Sequence, residues 1–294
     1  MKKICFIINP IAGGTAKDGI VELIDSRLDR SLFEWEIRYT EGPGDATRIA
    51  RDCDAQIVCA VGGDGTQNEV ARGLIGTDKA MAIIPCGSGD GFALHLGISR
   101  NHRKAVESLN QASELVADTG LLDGETFLCT CGMGIDAIVS WRFANSGSRG
   151  LKTYIKEALK TWKGFKAEHY RLDLDGNVWE GDASIISIGN ANQWGNNARI
   201  TPLASVRDGF LDVTVVKRFK TWNIPGLVFR LMTGSIDKSR FTDCYKVKEL
   251  SVVREKEGPF HFDGDPGTKG TDIEIKVAPS SLKLFVKAKN INRI

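Results

Sequence analysis

Val58-Cys59-Ala60-Val61-Gly62-Gly63-Asp64-Gly65-Thr66-Gln67-Asn68-Glu69-Val70 changes character twice. The run from Ala55 to Val61 is apolar except for Gln56, the composition of a strand buried on both faces. It stops at Gly62-Gly63, where a backbone without side chains can turn sharply. Glu69, Val70, Arg72 and Leu74 continue with helical spacing, and Thr66 with Glu69 three positions on reads as a capping box. The expected unit is strand, glycine turn, helix N-terminus. Such a turn suits a phosphate. Glycines allow close approach, the first N–H groups of a helix point outward, and the helix end carries roughly half a positive charge. Asp64 inside the turn suits a divalent cation or a polarised phosphate oxygen beside it. A glycine pair alone reads equally well as an ordinary tight turn.

The same alternation recurs on both sides. Ile4 to Ile8 is a short apolar run that breaks at Asn9-Pro10-Ile11-Ala12-Gly13-Gly14-Thr15-Ala16-Lys17, before Ile20, Leu23, Ile24 and Leu28 on one helical face. Any α/β protein can open this way; on a functional reading Asn9 and the Gly13-Gly14 backbone face a nucleotide and Lys17 reaches its phosphates. Trp35 to Thr40 alternates as a strand, and Ala46 to Asp52 reads as helix. Ala80 to Ile84 is another buried strand, ending in Pro85-Cys86-Gly87-Ser88-Gly89-Asp90-Gly91, and His102 to Leu115 reads as helix. Strands alternating with helices predict a doubly wound α/β domain over residues 1–122.

The second half changes period. Tyr170-Arg171-Leu172-Asp173-Leu174 alternates into a turn at Asp175-Gly176, and Val178 to Ile188 returns. Val247 to Arg254 and Ile273 to Val277 alternate likewise, and Leu227 to Met232 is a short helical segment. Residues 123–294 are therefore expected to form a mainly β domain, with the boundary near Leu121–Gly124. The closing strand, Leu282 to Val286, completes this domain or packs back on the first. Ser148 to Phe165 carries Leu151, Tyr154, Ile155, Ala158, Leu159 and Trp162 opposite Lys152, Lys156, Lys160 and Lys163, with Lys166 just beyond. That pattern is a core-packing helix with a solvated face or a contact for an anionic membrane.

Bulk properties narrow the partners. A net charge of +2 excludes a dominant electrostatic drive toward nucleic acid. Seven cysteines without a CxxC pair point to a reducing compartment and not to a disulfide frame or a zinc site. No stretch approaches the ~18 apolar residues of a membrane span. The apolar start ends at Asn9-Pro10, too short for a signal peptide. A cytoplasmic protein is expected, with peripheral and transient membrane contact only; a homodimer stays open.

Gly62 to Val70 resembles the nucleotide-binding signature of the diacylglycerol kinase catalytic domain family, which includes sphingosine and ceramide kinases and soluble bacterial lipid kinases. NAD kinases share its Gly-Gly-Asp-Gly-Thr core. Asn9-Pro10 followed by glycines, Thr40, Pro85 to Gly89, Asp118-Thr119-Gly120, Gly134 to Ala137, Pro202 to Ala204, Asp208 to Asp212 and Asp263 to Asp265 follow the family in order. The resemblance implies an α/β domain followed by a β-sandwich, and transfer of the γ-phosphoryl group of ATP to a lipid hydroxyl. The acceptor is diacylglycerol, another glycerolipid or a sphingoid-type lipid. Nucleotide contacts fall on Asn9, Gly13, Lys17, Thr40, Gly62, Gly63, Asp64, Gly65, Thr66, Asn68 and Ser88. Asp64 organises catalytic Mg2+, and Asp265 stands where the family has its glutamate base. A structural Mg2+ falls on Asp208 and the main-chain oxygens of Ser205 and Phe210. Three positions depart from the pattern: Asp90 for asparagine, Gly91 for aspartate and Asp265 for glutamate. An NAD kinase, or a non-catalytic nucleotide- or lipid-binding homologue, is the alternative reading.

Overall fold

The computed structural model describes residues 1–11, 18–145, 161, 165–287 and 290. The chain divides into two units, Met1–Asp118 with Ser280–Ile294, and Thr119–Pro279.

In the first unit, β1 (Lys2–Ile8), β2 (Phe33–Tyr39), β3 (Ile57–Gly62) and β4 (Ala80–Pro85) run parallel in the order 2-1-3-4. The last part of β15 (Asp272–Lys287) pairs parallel to β4, with Lys283 and Leu284 opposite Ala80 and Met81. Ile4–Ile8, Ile57–Val61 and Ala80–Ile84 are buried throughout. That is why these strands read as continuous apolar runs: helices cover both faces of a parallel sheet. The helices are α1 (Asp18–Arg27), α2 (Asp45–Asp52), α3 (Asp64–Leu74), the short α4 (Gly91–His95) and α5 (His102–Leu109). α2 and α3 pack so closely that a Cβ on Gly73 would lie 2.4 Å from the Thr47 carbonyl oxygen.

Two expectations are corrected here. The helix expected over His102–Leu115 stops at Leu109, and β5 (Ala112–Leu122) begins at once. Leu115 and Ala117 are buried on either side of exposed Val116, so the second half of that segment obeys a period of two. The strands expected at Ile273–Val277 and Leu282–Val286 are one strand, β15, with Ser280 at φ 51° inside it.

In the second unit the pairing is antiparallel. Its elements are β6 (Glu125–Phe127), β7 (Thr130–Gly134), α6 (Ile135–Asn145), β8 (Glu168–Leu174), β9 (Asn177–Gly189), β10 (Leu211–Lys217), α7 (Ile224–Thr233), β11 (Thr242–Val247), β12 (Glu249–Arg254), β13 (Gly258–Phe262), β14 (Asp265–Lys269) and the first part of β15. β9 pairs with β8 along its first half and with β7 and β10 along its second. Alternating side chains of β8, namely Tyr170, Leu172 and Leu174, point into a core with Ile186, Ile188, Val213, Val252 and Ile275. Each such side chain stabilises the fold by about 1.5–3 kcal/mol.

Asp123-Gly124, Asp175-Gly176 and Asp263-Gly264 each take positive φ at both residues, 46° and 85°, 51° and 84°, 47° and 87°. They close the hairpins β5–β6, β8–β9 and β13–β14 as two-residue turns. Type I′ turns require this conformation, and Asp-Gly supplies it at low cost. All seven cysteines are free thiols. Among the described residues, no helix is long and apolar enough to cross a membrane.

Candidate functional site

The carboxyl ends of β1 to β4 share one edge of the parallel sheet. The registers place Ile8 beside Tyr39 and Val61, and Gly62 beside Pro85. Asn9, Thr40, Gly63 and Cys86 therefore leave the sheet together. Strand order reverses between β1 and β3, the place where doubly wound sheets take ligands. Asn9 bridges that point: its Nδ2 donates to Thr66 Oγ1 at 3.1 Å, and its Oδ1 accepts from the Ile11 N–H at 3.1 Å. The Thr40 N–H donates to the Ile8 carbonyl at 3.0 Å.

The expected capping box is corrected. Gly63 is the N-cap of α3 and has no side chain to cap it with. Thr66 lies in the first turn, buried, where its side chain would meet a Cβ on Gly62 at 2.5 Å. Glu69 serves the neighbouring helix: its Oε2 accepts from the Ala46 N–H in the first turn of α2 at 3.2 Å. An eleven-residue helix that starts at a glycine turns its first N–H groups and the positive end of its dipole toward this edge. This is the observation by which the edge fits a nucleotide's phosphates.

Asp64 starts α3 and ties two loops. Its Oδ2 accepts from the Asp90 N–H at 2.9 Å and its Oδ1 from the Gly91 N–H at 2.8 Å. Gly63 and Gly87 touch across the same junction, since a Cβ on Gly87 would lie 2.7 Å from Gly63 Cα. Asp90 is buried with φ 50°. Its Oδ1 accepts from the Gly87 N–H at 2.8 Å and its Oδ2 from Arg100 Nε at 3.2 Å. Burial pushes the Asp90 carboxyl above its ordinary value, and the Gly87 N–H and Arg100 pull against that shift. Arg100 also donates to the carbonyls of Ser88 and Gly89 at 2.6 and 3.0 Å. Aspartate at position 90 is thus matched by a guanidinium ten residues on. Sequence reasoning missed Arg100, because nothing local marks it. Ser88 is exposed on this loop, and Asn68 is buried in α3. Gly13, Lys17 and most of the basic segment Ser148–Phe165 lie outside the described residues.

In the second unit, Asp265 is exposed and opens β14, directly after the Asp263-Gly264 turn. The hairpin is held at three levels. At its turn, the Asp263 carboxylate accepts from the N–H groups of Leu128, Cys129 and Thr130 at 2.8, 2.7 and 3.2 Å. In its middle, His261 Nε2 lies 3.0 Å from Asp136 Oδ2, both side chains buried, which fastens β13 to α6. At its open end, Arg254 donates to the carbonyls of Gly258, Pro259 and Gly270 at 2.9, 3.3 and 3.0 Å. Asp136 falls within the Gly134–Ala137 motif but was given no role, and neither His261 nor Arg254 was singled out by sequence. A histidine between Phe260 and Phe262 on a strand, one of four in the chain, was the available signal.

The cradle expected for a structural Mg2+ holds an ammonium in its place. Lys246 Nζ pairs with Asp208 Oδ2 and lies 3.7 Å from Asp212 Oδ2. Asp208 Oδ1 accepts from the Phe210 N–H at 3.2 Å. The Lys246 ammonium brings a positive charge into the place a divalent cation would take, and this arrangement does not fit such a cation, which wants oxygen ligands around it. Asp212 is buried, and burial pushes its carboxyl up to about 6, with Lys246 pulling it down and Asp208 pushing it further up.

Comparison with known proteins places both halves. A family described as "Diacylglycerol kinase catalytic domain" matches residues 3–122, and one described as "YegS C-terminal NAD kinase beta sandwich-like domain" matches residues 129–286. A Salmonella typhimurium protein named "Probable lipid kinase YegS" is 27% identical over 257 residues, covering 84% of each chain. The crystal structure of "a putative diacylglycerol kinase from Bacillus anthracis str. Sterne" superposes with a TM-score of 0.80 at 22% identity, covering 98% of both chains. An Archaeoglobus fulgidus NAD kinase in complex with ATP reaches a TM-score of 0.51 at 14% identity, covering 99% of this chain and 96% of its own, and shares the fold.

Proposed function

The chain belongs to the diacylglycerol kinase catalytic domain family, with the YegS-type sandwich as its second half, and from that membership we propose that it phosphorylates a lipid alcohol at the expense of ATP. It is a kinase of the lipid-kinase family. The finer reading is that the acceptor is the hydroxyl of diacylglycerol or of a sphingoid- or ceramide-type lipid.

One observation carries the donor side: the glycine-capped start of α3 stands at the edge where Asn9, Thr40 and the Ser88 loop also emerge. Phosphoryl transfer depends on aligned phosphates and neutralised charge more than on covalent help. The first-turn N–H groups of α3 hold phosphate oxygens, and Thr40 and Ser88 supply hydroxyls. Magnesium bound with the nucleotide supplies charge neutralisation. Asp64 is the residue proposed to hold it, since its carboxylate stands at the start of α3 on this edge and hard cations take oxygen ligands.

On the acceptor side, Asp265 takes the proton of the lipid hydroxyl as its oxygen bonds to the γ-phosphorus. The bond from that phosphorus to the bridging oxygen breaks, and ADP leaves with the electron pair. The exposure of Asp265 on a hairpin pinned at three levels supports this role: the acid is accessible and its backbone is set.

The test is incubation with magnesium and γ-labelled ATP against separate acceptors: diacylglycerol, monoacylglycerol, sphingosine, ceramide and NAD. Label is expected in the organic phase with one lipid class. Label found only in the NAD tube, or in none, overturns the reading.

A further inference from the structure

We propose that α7 and the turn before it form a membrane-docking surface that inserts its apolar side chains into an anionic lipid interface. The proposal rests on the lipid-acceptor reading for its purpose, although the binding chemistry is its own.

α7 is apolar on two opposite sides. Leu227 is buried and Leu231 partly buried against a core made with Ile135, Ile200 and Val216. That side accounts for the helix's attachment. The other side carries Val228, Phe229 and Met232, which are 49%, 67% and 48% exposed, with Trp222 in the preceding turn 72% exposed. Spacing of three and four residues puts the helical members on one face. A helix on a soluble surface ordinarily turns polar residues outward, so a contiguous outward apolar face marks a binding site.

The charge around it selects the occupant. From Lys217 to Arg240 the chain holds seven charged residues, and six are basic. Arg218 and Lys220 are exposed beside the turn, and Lys220 Nζ sits 4.7 Å from the centre of the Trp222 ring. Tryptophan and phenylalanine insert at the headgroup–acyl boundary, and neighbouring lysine and arginine meet anionic headgroups. A second copy of this chain is disfavoured as occupant. A twofold contact would set the same basic residues against themselves, and like charges facing each other repel.

The experiment is co-sedimentation of the whole chain with phosphatidylcholine vesicles, with and without phosphatidylglycerol, in the absence of nucleotide. Wild type is expected to partition onto the phosphatidylglycerol vesicles. The triple variant Trp222→Ser, Phe229→Ser, Met232→Ser is expected to lose about a hundredfold in partition coefficient. Arg218→Gln with Lys220→Gln is expected to lose about tenfold, a loss that added salt erases. Because the substituted side chains are exposed, both variants should keep the wild-type melting curve; the charge variant tests the surface even if the triple variant unfolds. The proposal is overturned if wild type stays in the supernatant, if both variants bind as wild type does, or if wild type sediments as a dimer that the triple variant dissociates. Partition is read without ATP, so a protein that binds vesicles by this surface but phosphorylates no lipid overturns the acceptor reading and leaves the docking surface standing.

Discussion

Asp64 and Asp265 are both aspartates at the start of a regular element just past a glycine, yet they stand in opposite circumstances. Asp64 gives both oxygens to the N–H groups of Asp90 and Gly91, so it is a rivet between loops as well as a candidate ligand. Asp265 is exposed, and the fixing of its hairpin is delegated to Asp263, His261 and Arg254. The first arrangement couples chemistry to folding. The second places the main anchors of the hairpin on residues other than the acid.

That contrast can be broken. Asp265→Asn is expected to cut lipid-dependent turnover by about 10²–10⁴-fold, the range for loss of a general base. Its melting temperature and nucleotide affinity should stay at wild-type values, read by thermal denaturation and calorimetric titration. Full turnover in this variant removes Asp265 from the mechanism. Asp64→Asn should lower turnover and stability together. It turns an NH2 group toward a backbone N–H and forfeits a charge-assisted hydrogen bond, about 1.5–3 kcal/mol in a urea titration. Unchanged stability would mean the loops do not depend on Asp64.

A third acid sharpens the comparison through pH. Asp212 is raised in the folded state to about 6, against roughly 3.9 unfolded. The native state therefore holds the proton more tightly, and stability falls as pH rises from about 4 to about 6. The cost is fully present above that window, on the order of 2–3 kcal/mol. Asp212→Asn should match wild type near pH 4 and exceed it by that amount at pH 7. Equal stability at both values refutes the shift. The smallest expected effect concerns metal. With Lys246 paired to Asp208, EDTA should move the melting temperature of the nucleotide-free protein by less than about 1 °C, because no cation is linked to folding. A clear drop would show that a cation displaces the lysine.

Much of the architecture was legible because it rests on local rules. Continuous apolar runs at Ile4–Ile8 and Ala80–Ile84 mark doubly covered strands, and Tyr170–Leu174 alternates because one face is buried. What stayed illegible was long-range partnership. Glu69 reads as half of a capping box for α3, and only folding shows it serving α2. Asp208 reads as a cation ligand until Lys246, thirty-eight residues away, is brought beside it. The end of α5 was misjudged because Leu109 and Leu115 satisfy helical spacing well enough to hide a change of period.

The long strand β15 has a further consequence. Its last residues close the β4 edge of the parallel strands β1 to β4, all of which come from the first 85 residues. During synthesis that edge must wait with open N–H and C=O groups until Lys283 and Leu284, about two hundred residues further on, have been made. A gene cut after residue 122 would leave it open permanently, an invitation to aggregate. The first half is therefore not a detachable cassette, and attempts to express it alone should carry residues 280–287 along.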